Sequence, residues 1–408
     1  MWIYLKLAWR NLLRNKRRSL IAGTAIGIGL AALIFVDALV IGMEKNMVES
    51  ATSTFLGEGQ IHRNGFRRTQ QSDLILNRLP WIVENLRQQW VVKRFTLRAL
   101  SYGMISSPAN FSSIELVGLD PRTEKEVSEI DDAVIEGSYF GGKDERDLLI
   151  GSKLAELLQV AIGDRVVVTV AQAGSGALSQ ELFRVSGIYR FNIAEMDRGM
   201  AFVRLEKAQE MLGIGRNAHE IALVFADSRF ASDPDFFFWK KYSRFGNEAA
   251  GWPAILPQME AAFELSRFST YLAGLILFGV VALGIINTLF MSLHERMFEF
   301  GVLRAVGTRP LRIAQLIVFE AASLAVLSIV MGCIMGLIVT SITAGIGFDY
   351  TGIEYVGVTF RKLIYPVLRI RQFIEYPLWL FLFTTLVGLY PAIYAAKMLP
   401  STAMRRGL

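Results

Sequence analysis

HERMFEFGVLRAVGTRPLRIAQLIVFEA, residues 294–321, is a charged stretch that lies between two long apolar runs. Residues 268–293 before it and 321–348 after it hold 26 and 28 residues without a formal charge. At about 1.5 Å per residue, each run is long enough to cross a bilayer core of about 30 Å. The stretch therefore predicts a short loop held at a membrane face between two spans, where a soluble partner could act on both helices.

The composition indicates a membrane protein with a substantial soluble part. Hydrophobic residues make up 52% of the 408 residues. The first 18 residues hold six bases and no acids, which equals the net charge of +6. This basic cluster adjoins an apolar segment, and bases are enriched on the cytoplasmic side of membrane spans. Membrane topology therefore explains the cluster, and no nucleic-acid partner is expected. A single cysteine, Cys333, and three widely separated histidines predict neither disulfides nor a metal site.

The basic arm predicts an amphipathic helix at the inner membrane surface. Spaced at about 100° per residue, one side of this helix carries Trp2, Leu5, Trp9, Leu12 and Leu13. Bases recur every four residues on the other side, at Lys6, Arg10, Arg14 and Arg18. Such a helix lies in the headgroup layer. The alternative is that the bases only set the topology.

Four apolar segments predict four spans, at residues 19–43, 267–293, 313–346 and 376–396. The first is too long for a signal-peptide core, so we expect it to remain with its amino terminus inside. Asp37, near the outer end of this first span, is either a solvated carboxylate at the membrane interface or a buried functional one. Gly332 and Gly336 favour close helix contact, although this spacing also arises by chance, and Asn287 could hydrogen-bond a neighbouring helix.

The connecting segments complete the predicted architecture. Residues 1–18, 294–312 and 397–408 carry thirteen bases, whereas the short loop at 347–375 carries four, which places the former in the cytoplasm. Residues 44–266 contain no apolar run long enough to span. The predicted fold class is thus an α-helical membrane protein with four transmembrane helices and a large α+β extracytoplasmic (periplasmic) domain between the first two, in the bacterial inner membrane with both termini cytoplasmic.

Period-two patterns predict strands in the large domain. Val166, Val168 and Val170 share one face, and a second face carries Phe183, Val185, Tyr189 and Phe191. Ser152 is a candidate cap for a helix over 153–158, and 205–212 predicts another short helix before a glycine turn. AGSGA at 173–177 predicts a hairpin or loop tip, because it lacks the lysine and the following helix of a phosphate-binding loop.

Charges within the inner loop suggest a docking surface. Glu295 and Glu299 are four residues apart and would share a helical stripe suited to a basic partner. Arg296 could instead offset Glu299, which would leave a self-satisfied turn. Gly301 and Gly307 are expected to break or thin the helix. Next to them, Thr308 is a candidate cap for a helix with Pro310 in its first turn.

Motifs in register along the chain carry a resemblance to a known family. They are AWRNLLRNKRR (8–18), ERMFEFGVLRAVG (295–307), FEA (319–321) and YPAIYAAKMLP (390–400). Together they resemble the permease subunits of FtsX/MacB-type (type VII) ABC transporters. The large domain is similar to the lipoprotein-release branch (LolC/LolE) through VIEGSYF (134–140), LLIGSKLA (148–155), VAIGDR (160–165) and VSGIYRF (185–191).

The resemblance implies a homo- or heterodimer of permeases in the membrane lipid, bound to two ABC ATPase subunits and working by mechanotransmission. It implies that a coupling helix seated in the ATPase contains Glu295, Arg296, Glu299, Gly301, Leu303, Arg304 and Gly307. It implies an elbow helix that contains Trp9, Arg10, Arg14 and Arg17. Because the chain has no GxxxxGK[ST] motif, ATP and Mg²⁺ are expected in the partner, with no cofactor, metal or catalytic residue in this chain.

The leading functional hypothesis is extraction of lipoprotein cargo on the outer side of the inner membrane for sorting to the outer membrane. The lipoprotein branch also implies transfer to a periplasmic carrier through a hairpin that the sequence does not place. Alternatives are MacB-like efflux of peptides or toxic small molecules and an FtsX-like scaffold that activates a cell-wall hydrolase. An enzyme is not expected, because the chain has no G-x-S-x-G elbow.

Overall fold

The computed structural model describes residues 2–14, 16–141, 145–356 and 358–397. It divides into two compact units. The membrane unit comprises Met1–Glu44, Phe263–Asp349 and Leu363–Leu408, and the α+β unit comprises Lys45–Ala262 and Tyr350–Lys362. Part of the predicted outer loop 347–375 therefore belongs to the α+β unit. Beyond Lys397, the predicted tail lies outside the described residues.

Helices occur throughout the chain. In chain order they are α1 (Trp2–Arg14), α2 (Lys16–Ala51), α3 (Phe66–Thr69), α4 (Leu79–Arg87), α5 (Pro121–Glu124), α6 (Ser152–Leu158), α7 (Ala194–Gly199), α8 (Leu205–Leu212), α9 (Arg229–Ser232), α10 (Phe237–Tyr242), α11 (Trp252–Ile255), α12 (Pro257–Glu295), α13 (Met297–Ala305), α14 (Pro310–Ile346), α15 (Gln372–Val387) and α16 (Leu389–Ala396).

Among the described residues, every strand lies in the α+β unit. They are β1 (Gly59–Arg63), β2 (Val92–Ser106), β3 (Phe111–Leu119), β4 (Val134–Gly137), β5 (Asp147–Gly151), β6 (Arg165–Ala171), β7 (Leu178–Tyr189), β8 (Met200–Arg204), β9 (Glu220–Phe225), β10 (Asn247–Gly251), β11 (Glu354–Tyr355) and β12 (Val358–Thr359).

Within the described residues, four helical segments are long and apolar enough to cross a membrane, as predicted. They are Lys16–Leu56, Pro257–Glu295, Pro310–Ile346 and Gln372–Ala396. The first extends well past the predicted end at residue 43 and closes with a π-helical turn over Thr52–Leu56. The sequence offers no glycine or proline between Met43 and Gly57, and Gly57 ends the helix with a φ of 76°.

Small residues let the first and third spans approach closely. A side chain at Gly332 would meet the Gly27 carbonyl oxygen at 2.9 Å, and one at Gly336 would meet Ile34 at 3.2 Å. The small-residue face of α14 thus packs on α2. Asp37 accepts a hydrogen bond from the Gln372 side chain at 2.7 Å, so this carboxylate, half-buried, has a partner on the fourth span.

The α+β unit is built on one sheet that contains β1–β10. Its strand order is β10-β1-β9-β2-β3-β8-β5-β7-β4, and β6 pairs with both β2 and β7. The β3–β8 and β5–β7 pairs are parallel, and the other pairs are antiparallel. The hairpin β11–β12 joins this unit through ion pairs of Arg361 with Glu129 at 2.6 Å and of Lys362 with Glu49 at 2.8 Å.

Alternating strand residues fill a core on each side of the sheet. Val166, Val168 and Val170 lie in one core, as their pattern predicts. Phe183 and Val185 share that core, but Tyr189 and Phe191 lie in the opposite one, so the predicted single face is wrong. The register of β7 against β5 shifts between Val185 and Gly187. This bulge inserts one residue and reverses the direction of the side chains that follow.

Short helices follow the local sequence signals closely. The helix over Leu205–Leu212 ends at Gly213 with a φ of 67°, as predicted. Ser152 is the first residue of its helix and Gly151 is the cap, so the predicted Ser152 cap is displaced by one position. AGSGA at 173–177 connects β6 to β7 as a hairpin tip, also as predicted.

Candidate functional site

The loop predicted at residues 294–312 forms a separate helix rather than a simple turn. The second span ends at Glu295, Arg296 leaves the helical conformation with φ −109° and ψ 12°, and α13 begins at Met297. The helix stops before Gly307, whose φ is 97°. Thr308 does not cap the third span: its N–H bonds back to the Leu303 carbonyl at 2.9 Å, and Arg309 occupies the cap position.

Arg296 connects this loop to the third span. It donates to Glu299 at 2.9 Å and to Glu320 at 2.5 Å, and Glu320 also accepts from Asn11 of α1 at 2.7 Å. Arg296 is 9% exposed and Glu320 is 8% exposed. A buried pair of this kind fixes the loop, because separating its charges would leave one of them uncompensated. The hydrogen bond from Arg296 also lowers the pKa of Glu299.

The two loop acids face bases of the same chain. Glu295 pairs with Arg18 at 2.6 Å, and Glu299 pairs with Arg14 at 3.4 Å. Glu295 and Glu299 were predicted to share one helical stripe. They do not, because the helix is interrupted at Arg296. The acids therefore contribute to holding the arm and loop together, which leaves less of their charge to attract a basic partner.

One face of α13 is anchored in an apolar core of the membrane unit. Phe300 is 3% exposed, and Gly301 is buried beside it without breaking the helix, contrary to expectation. The core around Phe300 contains Ala8, Leu293, Ile313, Leu316, Ile317, Ala392 and Ala395. These residues come from the arm and from the second, third and fourth spans. Phe300 of the loop helix thus shares one apolar core with residues of the arm and of the second, third and fourth spans.

The opposite face of α13 is apolar and exposed. Phe298, Val302 and Val306 follow one another at intervals of four residues, which places them in one stripe. They are 52%, 39% and 82% exposed. We call these three residues the apolar stripe. Leu303, three residues after Phe300 and on its side of the helix, is 42% exposed. None of the three stripe residues is among the residues that the family resemblance assigns to the coupling helix, although their four-residue spacing is visible in the sequence.

The remaining predicted residues take varied positions. Arg304 donates to the Thr308 carbonyl at 3.3 Å and so closes the turn after α13. Trp9 and Arg10 of α1 are exposed, and so is Arg17, which lies on α2 and not on the elbow helix predicted for it. Asn287 is also exposed and lines a groove of about 970 Å³ between α2 and α12. It was predicted to hydrogen-bond a neighbouring helix, but its side chain lies at this groove instead.

Fold and loop together define a class: an α-helical membrane protein with four spans and a large α+β domain between the first two. Two family models match this chain. The model for the FtsX-like permease C-terminal domain matches residues 271–400, and the model for the MacB-like periplasmic core domain matches residues 19–229, which is more than half of the chain. The chain therefore belongs to the FtsX/MacB-type family of ABC transporter permeases.

Similar proteins include members of lipoprotein-releasing systems. The chain is 22% identical to the lipoprotein-releasing system transmembrane protein LolE of Haemophilus influenzae, with 98% of both chains covered. It is 20% identical to LolC of Neisseria meningitidis, with 81% of both covered. The solved periplasmic region of MacB from Actinobacillus actinomycetemcomitans covers 50% of this chain and 92% of its own, with 13% identity and a TM-score of 0.34. Membership of the family marks this chain as an inner-membrane protein and implies an ATPase partner.

Proposed function

We propose that this chain is a permease subunit that couples ATP hydrolysis by a cytoplasmic partner to movement of its α+β domain, and that its cargo is a lipoprotein released from the inner membrane. The ATPase activity belongs to the partner, and this subunit binds neither ATP nor Mg²⁺. The observation that carries the proposal is the exposed apolar stripe on a helix whose other face is anchored in the membrane unit. A helix of this form docks by placing its apolar face in a groove of the partner.

The anchoring explains how force would enter the membrane unit. A push on the apolar stripe acts on Phe300, which packs among the arm and three spans. It also acts through Arg296 on Glu320 of the third span. Because close-packed interiors transmit displacement, the loop helix and these spans would move together. The lipoprotein cargo is supported by similarity to proteins of lipoprotein-releasing systems over most of the chain.

A substitution in the apolar stripe tests the docking surface. Phe298→Asp combined with Val302→Asp should prevent the ATPase from co-purifying with the tagged permease, because two charges would be buried in an apolar groove. ATPase content and ATP hydrolysis of the purified complex are the measurements. Phe111→Asp, at a similarly exposed residue of the α+β unit, is the matched control and should leave both unchanged. Full ATPase recovery with the double variant would contradict the proposed docking surface.

The cargo requires a separate test. The permease with its ATPase, reconstituted in proteoliposomes that contain a labelled lipoprotein, should release that lipoprotein to a soluble carrier only when ATP is hydrolysed. Stimulation of a cell-wall hydrolase without lipoprotein release would favour the scaffold alternative. ATP-dependent movement of small peptides or toxic compounds without release would favour the efflux alternative.

A further inference from the structure

The α+β unit contains a cavity of about 340 Å³ that the proposed function does not use. Its volume is within the range of small-molecule sites. Much of its wall is apolar, with contributions from Phe55, Leu100, Ile193, Met196, Met200 and Ile255. Charged side chains at one wall distinguish it from an ordinary packing void.

A buried cation near this wall is already fully matched. Arg98 is 0% exposed and donates to both carboxylate oxygens of Glu124 at 2.5 and 3.1 Å. It also donates to Glu220 at 2.7 Å and to the Phe55 carbonyl at 2.6 Å. Glu124 and Glu220 together outnumber the one arginine charge. The network therefore has no positive charge to spare for a third carboxylate.

Glu115 is that third carboxylate, and it lines the cavity. It lies on β3 opposite Tyr102, and no hydrogen bond to it is found among the described residues. Burial, with a smaller contribution from the negative charge of Glu220, raises the pKa of Glu115 to about 7. A cation at this wall would relieve both effects.

His62 lines the same cavity and is engaged by Glu220. It is 1% exposed, and its Nε2 lies 3.2 Å from Glu220. Burial alone would raise the pKa of Glu220, but the hydrogen bond from His62 and the charge of Arg98 outweigh it and lower that pKa. The Nδ1 atom of His62 is buried and has no hydrogen-bond partner among the described residues.

The other ionisable groups at the cavity do not offset the charge of Glu115, whose pKa is lowered only by Arg98. Burial lowers the pKa of His219, whose Nδ1 accepts from the Leu100 N–H at 3.1 Å, so this ring is neutral. Arg67 lines the cavity but donates to the carbonyls of Ala254 and Ile255 at 2.9 and 2.5 Å. Glu195 contributes a further acid to the lining.

We propose that this cavity binds an amphipathic cation, an aliphatic amine whose ammonium group donates to Glu115 while its tail lies against the apolar wall. Glu115 lines the cavity with no hydrogen-bond donor found among the described residues, and the apolar part of the wall suits a hydrocarbon tail. This binding does not depend on the ATPase or on the identity of the cargo, so it stands or fails separately from the proposed function.

The test uses the full chain in an uncharged detergent, with octylamine, 1-octanol and octanoate as probes of equal chain length. Calorimetric titration should show octylamine binding at least about tenfold more tightly than 1-octanol, because an ionised hydrogen bond adds to the shared tail contact. Glu115→Gln should weaken octylamine binding about tenfold and leave 1-octanol unchanged. Glu206→Gln, at an exposed acid of the same unit, is the matched control and should change neither.

A second variant keeps the test decisive if Glu115→Gln fails to fold. Met196→Trp would fill the cavity and should abolish binding of every probe. Equal binding of octylamine and 1-octanol by the unaltered chain would overturn the proposal. Octylamine binding that survives Met196→Trp would overturn it as well.

Discussion

Arg296, in the loop at residues 294–312, and Glu320 of α14 form the most buried ion pair around α13 among the described residues. Removing one partner is expected to show how much this pair stabilises the fold. Glu320→Ala would leave the Arg296 guanidinium buried with only the half-exposed Glu299 to balance it. Breaking a buried pair in this way costs about 3–5 kcal/mol. We expect a clear loss of thermal stability in detergent-solubilised protein.

The matched control for this prediction is Glu375→Ala. Its pair with Arg371 has side chains 45% and 77% exposed, and exposed pairs contribute about 0–1 kcal/mol. Replacing both buried partners, as Arg296→Met with Glu320→Leu, should restore much of the lost stability because no buried charge remains. Equal losses from Glu320→Ala and Glu375→Ala would show that the loop is not held by its buried pair.

Glu115 predicts a pH dependence of stability with a definite sign. Its pKa rises from 4.5 to about 7 on folding, so the folded state binds more protons in that interval and ionisation opposes folding. Stability should therefore fall as pH rises from about 4.5 to about 7, by about 1–3 kcal/mol from this group.

Comparison of variants isolates this contribution. Glu115→Gln should match the unaltered chain in melting temperature near pH 4.5 and exceed it above pH 7, measured by thermal unfolding of the full chain at several pH values. Glu206→Gln should follow the unaltered chain at every pH. A Glu115→Gln melting curve that parallels the unaltered one across this range would contradict the assigned pKa.

At the scale of elements, α2 and α14 are expected to depend on their small-residue contact. Gly332→Leu would push into Gly27 and Leu30, each 2.9 Å from an added Cβ, and should lower the melting temperature and the yield of folded protein. Gly345→Leu, on the same helix where nothing lies within 4 Å, is the control and should be tolerated. Similar behaviour of the two variants would show that α2 and α14 do not require close approach.

Some elements could be predicted because their signals are local. The helix over Leu205–Leu212 carries its own stop at Gly213, so its bounds follow from the sequence. The bulge that turns Tyr189 to the opposite core depends on pairing with β5, which no local pattern records. The apolar stripe of α13 shows the same limit, because periodicity reveals Phe298, Val302 and Val306 but not which face the spans cover.

At the scale of the whole molecule, the four spans were predicted because long apolar runs are strong signals that require no knowledge of distant contacts. The sheet order required such knowledge. The parallel pair β3–β8 places Glu115 opposite Met200, and the hairpin at residues 354–359 joins a unit from which it is far in sequence. For this reason the cavity, whose lining extends from Ser50 to Thr359, could not be predicted from any one segment.

The orientation of the whole chain is the last prediction, and it follows from charge. Thirteen bases in the arm, inner loop and tail against four in the loop at 347–375 favour a cytoplasmic position for α13. In a Cys333→Ser background expressed without the ATPase, an impermeant maleimide added to spheroplasts should label Ser175→Cys at the exposed hairpin tip. It should label Val306→Cys only after the membrane is permeabilised. Labelling of Val306→Cys in intact spheroplasts would place the apolar stripe outside, where no ATPase could reach it, and would remove the basis for coupling through this helix.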